Sequence, residues 1–112
     1  MNKSYPEIIK SIGEKTRDIR KELPEVMQGF RTLADAATKD GALSEKTKEL
    51  IALAIGITTR CDGCIGYHAQ ACVETGATRA EVMETIGMCV YLGGGPSLMY
   101  AADALRAFEQ FS

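Results

Sequence analysis

Apolar residues recur with a helical period along almost the whole chain, and the residues between the repeats are those of helix ends. Ile8, Ile9, Ile12 and Ile19 fall near helical spacing behind Ser4-Tyr5-Pro6-Glu7, which reads as a capping box with proline in the first turn. A first helix is predicted over about Pro6 to Lys21. Pro24 opens a second, with Val26, Met27, Phe30, Leu33 and Ala34 on one side and Gly41 as its stop. Ser44 caps a third, and Glu45 places an acidic group in its first turn. Its later part, "LIALAIGI", is apolar nearly all round, the mark of a core element. The β-branched Thr58 and Thr59 and the polar "RCDG" that follows predict a break there. A fourth helix starts around Cys61 or Asp62 and ends at Gly76. Thr78-Arg79-Ala80-Glu81, a second capping box, launches a fifth through Val82, Ile86, Val90 and Tyr91 as far as "GGGP". Pro96 or Ser97 begins a sixth, which runs to about Phe111.

Six helices with short loops predict an all-α fold, a compact bundle of about six helices in a single domain over residues 1–112. The Gly93-Gly94-Gly95 run reads as a helix-to-helix turn, because a phosphate-binding loop would need a preceding strand. A stripe of Met83, Ile86, Met88, Tyr91 and Leu92 reads as core rather than as the wall of a pocket. The last helix carries apolar residues such as Leu98, Met99, Tyr100, Leu105 and Phe108 on more than one face. That surplus predicts burial against another subunit.

The composition, 46% hydrophobic and 25% charged, is that of an ordinary globular protein and excludes disorder. A net charge of -2, with Lys and Arg scattered, excludes nucleic acid as the main partner. The longest apolar run is far too short to span a membrane. The first twenty residues are charged throughout, so no secretory leader is predicted and the expected location is the cytoplasm. Thiols stay reduced there, which makes a CxxC pair catalytic or metal-binding rather than a structural bridge.

The chemistry concentrates in "CDGCIGYH". Placed on a helix, Cys61, Cys64 and His68 share one stripe, and Cys72 continues it. Residues three or four apart on a helix have Cβ atoms about 5–6 Å apart, so a Cys61–Cys64 disulfide needs only a small backbone adjustment. The first turn of a helix, beside Gly63, is where that adjustment is easiest. Unpaired first-turn amides and the helix dipole are expected to favour a thiolate at Cys64. His68, one turn on, can take or return a proton. Glu49, on the preceding helix, is a candidate orienting partner: either a solvated carboxylate or, if buried, paired with His68, the chain's single histidine. Cys72 and Cys89 have no cysteine at short spacing and read as buried small hydrophobes.

Glu49, then Cys61-x-x-Cys64, then His68 resembles the signature of the alkylhydroperoxidase D-like branch of the carboxymuconolactone decarboxylase family. The flanking "KTKELIALAIGITTRCDGCIGYHAQACVETGATRAEVMETI" is similar too, and the resemblance covers roughly Pro24 to Tyr100. It implies an all-α fold assembled as trimers or hexamers, and a thiol-dependent peroxidase or disulfide reductase acting in antioxidant defence. It implies that Cys64 is the attacking thiol, that Cys61 resolves it, and that Glu49 and His68 relay the proton. The implied partners are a hydroperoxide or disulfide substrate and an external dithiol reductant, with no cofactor or metal. Well-known peroxidase members carry a histidine just before the second cysteine, where this chain has Gly63; that departure bears on the strength of peroxidase activity rather than on thiol chemistry. Two alternatives stand beside this reading. One is a metal site drawing on Cys61, Cys64, His68 and Glu49, although structural zinc sites usually take ligands from two knuckles and only one short pair is present. The other is a non-enzymatic oligomeric scaffold.

Overall fold

The computed structural model describes residues 3–112. Five helices follow one another: α1 (Tyr5–Glu22), α2 (Pro24–Thr38), α3 (Glu45–Thr58), α4 (Asp62–Glu74) and α5 (Arg79–Phe111). Each starts where the sequence supplies a partner for unpaired amides or a proline that needs none. Ser44 Oγ accepts from the Thr47 amide at 3.1 Å. At α5 the box closes both ways, with Glu81 N–H donating to Thr78 Oγ1 at 3.1 Å and Thr78 N–H to Glu81 Oε1 at 2.8 Å. Ser4 caps α1 through the Glu7 amide, at 3.4 Å. The second helix stops at Thr38, short of the expected Gly41.

The expected division between a fifth and a sixth helix is reduced to a single residue. Gly94 has φ 70 and ψ -158, and helix continues on both sides of it, so α5 is one element with a kink. Pro96 contributes, since it has no N–H to give to the preceding turn. The turn is tight: the Ser97 side chain occupies the place where a Cβ on Gly93 would stand.

The core lies where α3, α4 and α5 meet. Leu53, Ile57, Ile65, Ala69, Cys72, Val82 and Ala104 are fully buried there. Helix α1 lies on α4, with Tyr5 and Ile9 against Gly66 and Ile12 against Gly63. Helix α2 differs: none of its residues is buried. Val26, Phe30 and Leu33 are 63%, 66% and 64% exposed. The radius of gyration, 14.3 Å, exceeds the roughly 13 Å expected of a compact chain this long, as a splayed helix would make it. The stripe of Met83, Met88, Tyr91 and Leu92, expected in the core, is also exposed, with Ile86 alone of that group partly buried against it. Among the described residues, no helix is long and apolar enough to cross a membrane.

Candidate active site

The turn from α3 into α4 places the two cysteines. Arg60 N–H donates to the Ile57 carbonyl at 3.1 Å and Cys61 N–H to the Gly56 carbonyl at 3.0 Å. These are the two bonds of a Schellman motif, which requires a left-handed residue after the helix. Arg60 takes that conformation, with φ 58. The same motif ends α4, where Gly76 has φ 85 and the Ala77 amide reaches the Cys72 carbonyl at 2.9 Å. A side chain in the left-handed region costs about 1–2 kcal/mol, so the turn before the dithiol is the more strained of the two.

Cys61 emerges from this turn as the N-cap of α4, in extended conformation. Its Sγ accepts the Cys64 amide at 3.2 Å. Here the geometry departs from the expectation that first-turn amides serve Cys64: the nearest one serves Cys61, because an N-cap side chain faces the amides three residues ahead. Cys61 and Cys64 form a disulfide, with Cα atoms 5.2 Å apart. Residues 61–64 are all partly exposed, so the sulfurs lie near the surface.

Helix α3 supplies the rest. Gly56 packs on Cys64 so closely that an added Cβ would lie 3.1 Å from the Cys64 Cβ and 3.4 Å from the Ile65 amide nitrogen. Two turns earlier on the same helix, Glu49 points at α4. It is 8% exposed, and its Oε1 lies 2.7 Å from His68 Nδ1. Of the two readings of Glu49, the buried and paired one holds. A buried carboxylate requires such a partner. With Nδ1–H donated to the carboxylate, Nε2 is left as the free, basic nitrogen of a ring about one-third exposed. Gly56 against Cys64 and Glu49 against His68 thus set these two contacts along the α3–α4 crossing.

Cys72 and Cys89 are buried free thiols, as their neighbours predict. Burial, with a smaller contribution from the Glu49 charge, pushes the Cys72 thiol up to about 12. Burial also raises the Cys89 thiol, which donates to the Ala54 carbonyl at 3.7 Å. Neither thiol ionises readily near neutrality. Among the described residues, no three His, Cys, Asp or Glu side chains converge as metal ligands. Gly63, where well-known peroxidases carry histidine, faces α1: an added Cβ would meet Ile12 Cδ1 at 2.8 Å.

Comparison with known proteins gives this geometry its context. The sequence profile of the carboxymuconolactone decarboxylase family matches residues 24–107. The chain belongs to that family. A crystal structure of a carboxymuconolactone decarboxylase family protein from Legionella pneumophila superposes with a TM-score of 0.95 at 59% identity, covering 96% of each chain. A family member from Thermotoga maritima, for which a role in antioxidative response has been suggested, gives a TM-score of 0.76 at 29% identity over 89% of this chain and 88% of its own. An uncharacterized Haemophilus influenzae protein is 39% identical over 100 residues, 89% of this chain and 85% of that protein. Within the family, residues 24–107 contain the whole α3–α4 site, whereas α1 lies before the matched segment.

Sequence reasoning missed two contributors. Gly56 was legible only as one apolar position among eight. Asp62, Lys3, Tyr5 and Asp103 form a polar cluster at the first turn of α4. Its members lie up to 100 positions apart, so no local pattern reports it.

Proposed function

We propose that this chain is a thiol-dependent peroxidase or disulfide oxidoreductase working through Cys61 and Cys64 in antioxidant defence. One observation carries the reading: a CxxC pair already bonded at a helix start, one turn from a histidine that a buried glutamate orients. The Cys64 thiolate attacks the outer oxygen of a hydroperoxide. The O–O bond breaks, the alcohol leaves with a proton delivered by His68, and Cys64 becomes a sulfenic acid. The Cys61 sulfur then attacks the Cys64 sulfur, water leaves, and the disulfide forms. An external dithiol supplies two electrons and two protons to reopen it. His68 Nε2 takes the proton from Cys64 at the start, and Glu49 stabilises the imidazolium that results.

The exposed apolar faces support assembly with further copies of the chain, as a trimer or hexamer. Tyr91 and Leu92 are 77% and 78% exposed, and α2 presents a second bare apolar face of its own. The deciding experiment is peroxide consumption with several dithiol donors, comparing wild type with Cys61→Ser, Cys64→Ser and His68→Ala. Cys64→Ser is expected to abolish turnover. Cys61→Ser should stall at the sulfenic acid, and His68→Ala should slow the reaction by about 10²–10⁴-fold. Equal turnover in all four proteins removes the enzymatic reading.

A further inference from the structure

The first turn of α4 is held by more than its own cap. Asp62, the residue after Cys61, accepts from Lys3 Nζ at both carboxylate oxygens, at 3.1 and 3.2 Å, and from the Tyr5 hydroxyl at 2.8 Å. Lys3 Nζ reaches Asp103 on α5 at 2.8 Å as well. Gln110 fixes the segment in place: its Oε1 accepts the Tyr5 amide and its Nε2 donates to the Lys3 carbonyl, both at 2.8 Å. Tyr5 is fully buried, so this strap is anchored in the core. Residues 3–5 thus tie the dithiol helix to the C-terminal part of α5.

The strap sits where two electrostatic demands conflict. A carboxylate at the first helical position suits the helix dipole. Beside two sulfurs that must ionise to react, the same charge opposes the thiolate. Other charged or titratable groups close to this turn are Arg60, the residue before Cys61, Glu49 on α3, His68 on α4, and Tyr100, Asp103 and Arg106 on α5, with the Tyr100 ring 5.2 Å from Lys3 Nζ. Glu49 is bound to His68. Asp103 is shared between Lys3 and Arg106, whose Nε lies 3.9 Å away. Asp62 is the carboxylate adjacent to Cys61, and Lys3 is the cation bound to it.

We propose that Lys3, Tyr5 and Asp62 are positioning residues for the dithiol, in which the Lys3 cation offsets the Asp62 charge so that the thiols at the start of α4 ionise and exchange near neutral pH. This rests on the dithiol reading above. The strap acts through Asp62 and touches no substrate.

The test uses the full chain, reduced, and follows iodoacetamide alkylation of Cys64 against pH by mass spectrometry. A second measurement equilibrates the pair with glutathione buffers, in which two glutathione molecules become glutathione disulfide for each Cys61–Cys64 bond opened. Lys3→Met is expected to slow alkylation at pH 7 by about two- to fivefold, to move its profile to higher pH, and to shift the equilibrium towards the disulfide. Asp62→Asn should do the reverse on all three counts. The double variant should lie within about twofold of wild type, and added salt should shrink both single effects. Tyr5→Phe keeps the packing and removes one hydrogen bond from Asp62, so a smaller shift in the Lys3→Met direction is expected. A strap with a structural role alone would move Lys3→Met and Asp62→Asn the same way, since both lose the same ion pair. Shifts of like sign, or none in either variant, overturn the proposal. Opposite shifts in a protein that turns over no peroxide would sink the peroxidase reading and leave the strap's role standing.

Discussion

Helix α2 and the α3–α4 pair are both rich in apolar residues, yet the structure uses them in opposite ways. On α3 and α4, Leu53, Ile57, Ile65, Ala69 and Cys72 are completely buried, and a carboxylate is taken down with them. On α2 nothing is buried. A glycine in each shows what separates them. An added Cβ at Gly56 would press on Cys64 at 3.1 Å, while one at Gly29 would meet nothing within 4 Å. The close approach of α3 to α4 draws Glu49 onto His68 and Cys64 into its seat. Apolar content alone marks a surface to be covered; small residues at the crossing decide which surface the chain covers by itself.

The largest way to break the contrast is at the buried carboxylate. Glu49→Ala removes the partner of His68 Nδ1, so the ring loses its fixed tautomer and orientation. Turnover per active site should fall by about 10²–10⁴-fold, measured as kcat/KM with a saturating dithiol. The α2 face has no polar group whose loss would do the same.

The two glycines provide a paired test of opposite sign. Gly56→Ala overpacks the crossing, and the Ile65 amide behind it is backbone and cannot swing aside. Unfolding free energy should drop by about 1–3 kcal/mol in urea titrations. Gly29→Ala puts a better helix former into open space and should stabilise α2 by about 0.5–1 kcal/mol. If both lower stability equally, the crossing is not the feature that separates the regions.

Burial on the α3–α4 side also sets a pH limit. The Cys72 thiol rises from 9.0 to about 12 on folding, through desolvation first and the Glu49 charge second. An acid whose folded pKa lies above its unfolded one contributes full stability below the unfolded value and loses it as pH climbs towards the folded value. Stability should therefore decline from about pH 9 upward, by about 1–2 kcal/mol at pH 10. Cys72→Ala should flatten that decline in urea midpoints measured across the range.

Much of this was legible in the sequence, and the rest was hidden for identifiable reasons. The caps at Ser44 and Thr78, the break after Thr58 and the Cys61–Cys64–His68 stripe follow from local chemistry, which acts over three or four residues. The position of Glu49 on the preceding helix left a solvated and a paired reading open, and its burial against His68 selects the paired one. The kink at Gly94 was expected as a full gap between helices, because three glycines and a proline look the same whether a chain turns or bends. The exposed Met88, Tyr91 and Leu92 were expected inside, since periodicity marks an apolar face without telling whose interior receives it. The Lys3 strap was illegible because its contacts join opposite ends of the chain.

The smallest expected effect sharpens the contrast most. Phe30 and Leu33 lie on the bare face of α2, and truncating each to Ser removes little area that the single chain buries for itself. At high dilution, Phe30→Ser and Leu33→Ser should each change unfolding free energy by less than about 0.5 kcal/mol, whereas core truncations usually cost several times that. At high concentration the result should diverge. If further copies cover this face, wild-type stability rises with concentration and the variants lose that dependence, because binding that selects the folded state adds to its stability by mass action. Light scattering on the same samples should show the variants at lower mass. A mass that stays unchanged while stability remains concentration-dependent would move the seam from α2 to the exposed Tyr91–Leu92 face, and truncation there would then be the next measurement.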